Sequence, residues 1–284
     1  MNPEHYDIIL RMKQFLKLPL MLHQMPTHPN STYGYTASDM TFLSQQWTKE
    51  NSAFYFDCID FLEAVHLKDT KRINHYKNRL KTERKIITAE LPLFTDNFQK
   101  QESRYWLPLF SELKEIWKDT SLDERKLVIP LSLYFGKTGH FAVSCFNFAP
   151  KKDEASVIVL EQHAQKKEKP DYEADVDYTD GIKLHEKLWA GMLHGKKPDF
   201  LLGIGTVNTF VNDNPICRRH NVCGVVASEL ARRLLETNDP MKLAKSGIVI
   251  TNEEVDKLHE RNKKLEAKYG HFPLMVIQKN GGRK

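Results

Sequence analysis

Hydrophobic spacing divides the chain near position 100. Residues 4–16 read as an amphipathic helix, and residues 40–49 as a second, with Ser38 and Asp39 as capping candidates. PTHPNSTYGYT (26–36) between them is a turn-rich loop. In NSAFYFDCIDFLEAVHL (51–67), Phe54, Ile59, Phe61, Leu62 and Val65 fall near one stripe, which predicts a third helix with Cys58 inside it. Residues 68–90 distribute Lys and Arg along their length and read as a solvated helix. After ESRYWLPLFSELKEIWK (102–118) the pattern changes to strands. KLVIPLSLYF (126–135) is a continuous apolar run, and HFAVSCFNF (140–148) alternates Phe141, Val143 and Cys145 against His140, Ala142 and Ser144. The polar turn APKKDEA leads into SVIVLEQHA (156–164), so the three runs predict neighbouring antiparallel strands. A charged loop (165–180), a helix (181–195) and a further strand (197–211) follow. CRRHNVCGVVASELARRLLE (217–236) is a polar loop running into an amphipathic helix, with Val225, Val226, Leu230, Leu234 and Leu235 on its apolar side. A short helix after Pro240, a charged helix over 252–268 and an edge strand over 271–280 complete the chain.

Composition narrows the class. The chain has 284 residues, 40% hydrophobic and 28% charged, with a formal charge of +5. That balance is ordinary for a soluble globular protein and points to no nucleic acid partner. No run approaches the length of an apolar membrane span, and the N-terminus lacks the uninterrupted apolar core of a secretory signal. Cys58, Cys145, Cys217 and Cys223 are too few for a disulfide scaffold, which favours a reducing site of action. There is no Walker loop, no GxGxxG and no paired zinc-ligand spacing, so no metal is expected.

The chemistry centres on Cys223. It stands at the start of a helix, where unpaired backbone N–H groups and the helix dipole stabilise a thiolate. Gly224 beside it leaves room for a substrate to approach the backbone. His140 begins one strand and Glu161 ends the next, and in an antiparallel pair those two ends lie side by side. A thiol, an imidazole to take its proton and a carboxylate to orient the imidazole are the parts of covalent acyl transfer. Each has an inert alternative: a surface histidine, a solvated glutamate, a small core cysteine.

These residues resemble a known family. Gly139 to Glu161 is similar to the His-strand-turn-strand-Glu segment of the YopJ family, bacterial effector acetyltransferases on the clan CE cysteine-protease fold. CRRHNVCGVVASELARRLL resembles that family's Cys-Gly helix, HFPLMVIQKN its C-terminal motif, and YWLPLF (105–110) the segment before its catalytic strands. The resemblance covers roughly residues 102–284. It implies an α+β fold with a papain-type core like those of adenovirus and ubiquitin-like proteases. A mainly helical region, 1–100, would serve regulation or target binding, and 101–284 would be the catalytic domain. Cys223 would accept acetyl from acetyl-CoA, His140 would be its base and Glu161 the orienter. A Ser, Thr or Lys of a host protein would receive the acetyl group. Inositol hexakisphosphate would activate, held by Arg218, Arg232, Arg233 and Lys279. Delivery would be by a specialised secretion system into host cytoplasm.

The chain departs from the family at three points. Cys217 stands where the family and its protease cousins place an oxyanion-stabilising Gln. Backbone N–H groups, or Arg218 or Asn221, would take that task. Gln278-Lys279 replaces a Lys-His pair, and His220-Asn221-Val222 replaces small and acidic residues before the nucleophile. Two further functions are compatible with the same residues. One is a clan CE deubiquitinase or ubiquitin-like-protein protease, in which water resolves the acyl-enzyme. Many such proteases carry Trp after the catalytic His, and this chain has Phe141. The other is a non-catalytic effector that binds a host protein.

Overall fold

The computed structural model describes residues 35–88, 91–94, 109, 112–113, 115–116, 125–135, 138–148, 154–162, 206–212, 214–219 and 222–269. Helix 4–16, the loop and helix over 165–195, the start of strand 197–211 and the edge strand 271–280 lie outside them.

Local sequence chemistry sets the first elements. Helix α1 (Ala37–Asn51) starts at Thr36, whose hydroxyl accepts the Asp39 N–H at 3.3 Å. The Asp39 carboxylate accepts the Thr36 N–H at 2.6 Å in return, a reciprocal capping box. The cap is therefore Thr36, and Asp39 sits three residues inside the helix. Strand β1 (Phe54–Phe56) occupies the start of what the apolar stripe suggested was helix. Ser52 in the left-handed region ends α1, and three consecutive aromatic residues then pair as a strand. Asp57 caps α2 (Cys58–Leu67) by accepting the Asp60 N–H. Cys58 thus opens a helix rather than standing inside one. Asp69 caps α3 (Thr70–Thr82) in the same way. The β-branched Ile86-Ile87-Thr88 form β2 (Lys85–Thr88), where the charge pattern suggested more helix.

The remaining strands are β3 (Leu91–Phe94), β4 (Lys126–Phe135), β5 (Thr138–Phe148), β6 (Glu154–Glu161) and β7 (Thr206–Val211). Among the described residues these seven strands make one sheet in the order β1-β2-β4-β5-β6-β7, with β3 also pairing β4. The β4-β5-β6 centre is antiparallel, as the alternation predicts. The flanking strands β1, β2, β3 and β7 join in parallel. Strands on both sides of position 100 therefore hydrogen-bond into the same sheet. The result is an α+β architecture.

Helices α4 (Cys223–Glu236), α5 (Pro240–Lys245) and α6 (Asn252–Tyr269) follow the sheet. Helix α4 packs chiefly on β4 and β5 and against α1. Val225, Val226, Leu230, Leu234 and Leu235 share one buried cluster with Val128, Phe141, Val143, Cys145, Ile158 and Leu160. These strand residues have one parity. Leu127, Ile129, Leu131, Ala142 and Phe146, of the other parity, are buried too. Strand β5 is thus covered on both faces, which its alternation did not reveal because Ala142 and Ser144 are small enough to bury. Leu109, Leu113 and Ile116 are buried at helical spacing within the segment 102–118.

Two buried cations finish helices. Lys126 Nζ donates to the Leu234 carbonyl at 3.0 Å and to the Thr237 carbonyl, placing a cation at the negative end of α4. Burial pulls its pKa down to about 8. Arg125 donates to the Leu80 and Lys81 carbonyls and closes α3 in the same manner.

Candidate active site

Backbone register puts positions 140 and 161 next to each other. His140 is the third residue of β5 and pairs with Leu133, and Glu161 is the last residue of β6 and pairs with Ala142. The two are diagonal neighbours across an antiparallel pair, a separation of about 7–8 Å between backbones. Their side chains, and all of Asn221 and Lys279, lie outside what the structure describes.

Cys223 lies at the same end of the sheet. The C-terminus of α4 is tied to Lys126, which pairs with Asn147 at the far end of β5. The loop before α4 is tied to Gln162, the residue after Glu161, whose carbonyl accepts the N–H of Ile216 at 2.8 Å and of Cys217 at 3.4 Å. Helix α4 therefore runs the length of the strands. Its 14 residues span about 21 Å, and the β5 segment it covers about 20 Å. Its N-terminus falls where β5 begins and β6 ends.

Cys223 is the first residue of α4 and is partly exposed, whereas Cys58, Cys145 and Cys217 are buried. Val222 provides no side-chain cap, and the first turn carries no acidic residue. The backbone N–H groups and dipole of a helix start favour an anion at that place. Gly224 is required sterically: a Cβ there would stand 2.5 Å from Cβ and 2.9 Å from Cγ of Tyr35. Tyr35 is itself fixed from behind. Its hydroxyl lies 3.1 Å from Nδ1 of His259 and accepts from Asn262 Nδ2 at 3.1 Å. Asn262 Nδ2 also reaches Ser228 Oγ at 3.3 Å, and Ser228 donates to the Val225 carbonyl at 2.8 Å. Burial lowers the pKa of His259 and raises that of Tyr35, which favours the neutral form of both. Gly224→Ala should destabilise the fold by about 1–3 kcal/mol, since Tyr35 has no free direction in which to retreat. Urea unfolding checks this, and a loss below about 0.5 kcal/mol would show that the helix start can move.

The other residues indicated by the sequence divide as follows. Cys217 is buried at 2% exposure, and burial raises its pKa. Arg218 is exposed. Arg232 donates to Glu229 at 2.8 and 2.9 Å and also to Glu236. Arg233 donates to Glu229 at 2.7 Å. Arg261 on α6 meets the same carboxylate at 3.0 Å and lies 4.7 Å from the centre of the Trp47 ring. Both α4 arginines offered for a phosphate ligand are thus paired with carboxylates. Among the described residues no cluster of His, Cys, Asp and Glu could hold a metal ion. No helix among them is long and apolar enough to cross a membrane.

Gln162, Tyr35, Asn262 and Glu229 were not indicated by the sequence. Each acts through a partner at least 32 positions away or through a backbone carbonyl, which leaves no local signature.

No known family's sequence profile matches the chain. No curated protein matches it. Among solved structures, a de-sumoylating protease matches at 12% identity over 85% of this chain and 84% of its own, with a TM-score of 0.37. The Rickettsia bellii effector protein RickCE matches at 15% identity over 84% and 95%, with a TM-score of 0.40. The Legionella pneumophila effector protein RavZ matches at 12% identity over 82% and 63%, with a TM-score of 0.41. The chain spans less than two thirds of the length of RavZ. With these scores below one half, what the chain does has to be read from its own residues.

Proposed function

We propose that the chain is a clan CE-type cysteine enzyme that cleaves the C-terminal linkage of ubiquitin or a ubiquitin-like modifier. One observation carries the reading: positions 140, 161 and 223 gather at one end of one sheet, with position 223 at a helix start. The His140 imidazole takes the Cys223 proton, and the thiolate attacks the scissile carbonyl carbon. The carbonyl electron pair moves to oxygen, facing the backbone N–H groups at the start of α4. Collapse breaks the C–N bond, and the amine leaves with the proton held by His140. Water, deprotonated by His140, then opens the thioester, releasing a carboxylate and the free thiol. Glu161 fixes the imidazole tautomer and stabilises its cation.

A second reading, acetyl transfer from acetyl-CoA to Ser, Thr or Lys of a host protein, is favoured by Phe141 in the place of Trp after His140. Its activator, inositol hexakisphosphate, would have to compete with Glu229 and Glu236 for Arg232 and Arg233. That competition is why hydrolysis is put first. Delivery into a host cytoplasm belongs to either reading.

The test is intact-protein mass after two exposures. One uses ubiquitin-like proteins bearing a C-terminal thiol-reactive group. The other uses acetyl-CoA with and without inositol hexakisphosphate. A modifier adduct on Cys223 supports hydrolysis. An acetyl adduct that depends on acetyl-CoA, without the modifier adduct, overturns it in favour of transfer. Neither adduct on folded protein leaves the non-catalytic binder.

A further inference from the structure

We propose that Gln162 is a positioning residue for Cys223, holding the loop that delivers the nucleophile to the end of β6. The proposal rests on Cys223 being the nucleophile. Gln162 follows Glu161 directly and is 1% exposed. Its main-chain carbonyl accepts the N–H groups of Ile216 and Cys217. Its side-chain Nε2 donates to the Cys217 carbonyl at 3.3 Å and to the Arg219 carbonyl. One residue therefore makes four bonds to the segment 216–219, two as acceptor and two as donor. Ile250 N–H adds a bond to the Ile216 carbonyl at 2.7 Å, and Arg219 reaches Asp256 at 2.6 Å, so the far side of the segment is anchored to the approach to α6 and its first turns. The segment is held on both sides four residues before the nucleophile.

The amide is oriented by its partners. Both are carbonyl oxygens, so Nε2 faces them and Oε1 faces away. Both N–H bonds are committed to the loop, and Gln162 is thus not a donor to a reaction oxyanion. Oε1 is buried with no hydrogen-bond partner among the described residues. A buried acceptor without a partner is costly. Leucine or methionine would fill this place without that cost, but neither could hold the two carbonyls. Cys217, six residues before Cys223, is held here rather than holding: its N–H and its carbonyl both bond to Gln162.

The experiment is iodoacetamide alkylation of Cys223 in the full chain, mapped by peptide mass, as a function of pH. Gln162→Leu removes both donors, and Gln162→Asn keeps the amide but withdraws it by one methylene. Lys126→Met loosens the opposite end of α4 and is the control for general destabilisation. The wild-type rate should reach half its maximum well below the pH of about 8.5 of an ordinary thiol. In Gln162→Leu that half-maximal pH should rise by about one unit, with about a tenfold slower reaction in mildly acidic buffer, because a displaced thiolate loses its cationic partner and helix donors. Gln162→Asn should shift the same way by less, and Lys126→Met should leave the profile in place. A folded Gln162 variant with the wild-type profile overturns the proposal, as does an equal shift in Lys126→Met. A wild-type Cys223 that behaves as an ordinary thiol overturns the nucleophile reading itself.

Discussion

Cys223→Ala should lower turnover by at least about a thousandfold, while Cys217→Ala should keep it within a few-fold of wild type. The contrast follows from burial. Cys217 is 2% exposed and its pKa is raised by desolvation, partly offset by the Arg219 backbone and guanidinium. Cys145 is fully enclosed in β5, and burial pushes its thiol up to about 12 despite Lys126 nearby. Cys58 is buried in the first turn of α2. None of the three can present a thiolate to a substrate. Cys223 is partly exposed at the start of a helix, where the dipole favours a thiolate. His140→Ala should cost as much as Cys223→Ala, because members of a thiol–imidazole pair act as one unit. The rate should also fall on the acid side, as the thiol–imidazole pair takes up a proton. Steady-state rates on a fluorogenic C-terminal amide of a ubiquitin-like protein measure all of these. Full activity in Cys223→Ala, or a rate that is flat on the acid side, removes the catalytic reading.

The same residues show how much was legible beforehand. Period-two alternation in HFAVSCFNF and the apolar run KLVIPLSLYF identified β4 and β5, and the Cys223 helix was readable from Val225, Val226, Leu230, Leu234 and Leu235. What the pattern missed was set by single residues or by distant partners. Phe54-Tyr55-Phe56 lay on a helical stripe, yet the left-handed Ser52 and the Asp57 cap turn those residues into a strand. Lys85-Ile86-Ile87-Thr88 followed a basic helix without punctuation, and pairing with β1 and β4 makes it β2. Pairing depends on residues 32 and 41 positions away and has no local sign. The positions proposed for the site could be picked out for the same reason that the residues around them could not. A thiol before a Gly-led helix and a His and Glu at strand ends are local features. The amide of Gln162, the wall made by Tyr35 and the carboxylate of Glu229 act through contacts that only the folded chain creates.

Glu229→Gln should remove on the order of 3 kcal/mol of stability near neutral pH, and the loss should vanish in strong acid. Burial alone would raise the Glu229 pKa. The hydrogen bonds from Arg232 and Arg233 and the charges of Arg232 and Arg261 outweigh it, and hold the group at about 2 against an ordinary 4.5. A carboxylate whose pKa is lowered by folding binds fewer protons in the native state than in the unfolded one. Its contribution is complete above about pH 4.5 and declines as the pH falls toward about 2. The side chain is 2% exposed, so solvent screens it little, although its three arginine partners at 22, 29 and 33% exposure are more accessible. The ion pairs also explain the geometry around the nucleophile. Glu229 lies in α4, Arg261 in α6, and Arg261 stacks over Trp47 of α1, so one carboxylate ties three helices behind Cys223. Glutamine keeps the shape and takes from three crowded guanidinium groups the charge they share, while Arg232 retains Glu236, which is costlier than losing one surface pair. Urea unfolding of both proteins at about pH 7, 5 and 3 reads the prediction directly. The stability gap should be widest at the first, nearly as wide at the second, and clearly smaller at the third. A gap independent of pH would mean that Glu229 acts by packing and hydrogen bonding rather than by charge, and a gap below about 1 kcal/mol would mean that the arginines find water or Glu236 instead.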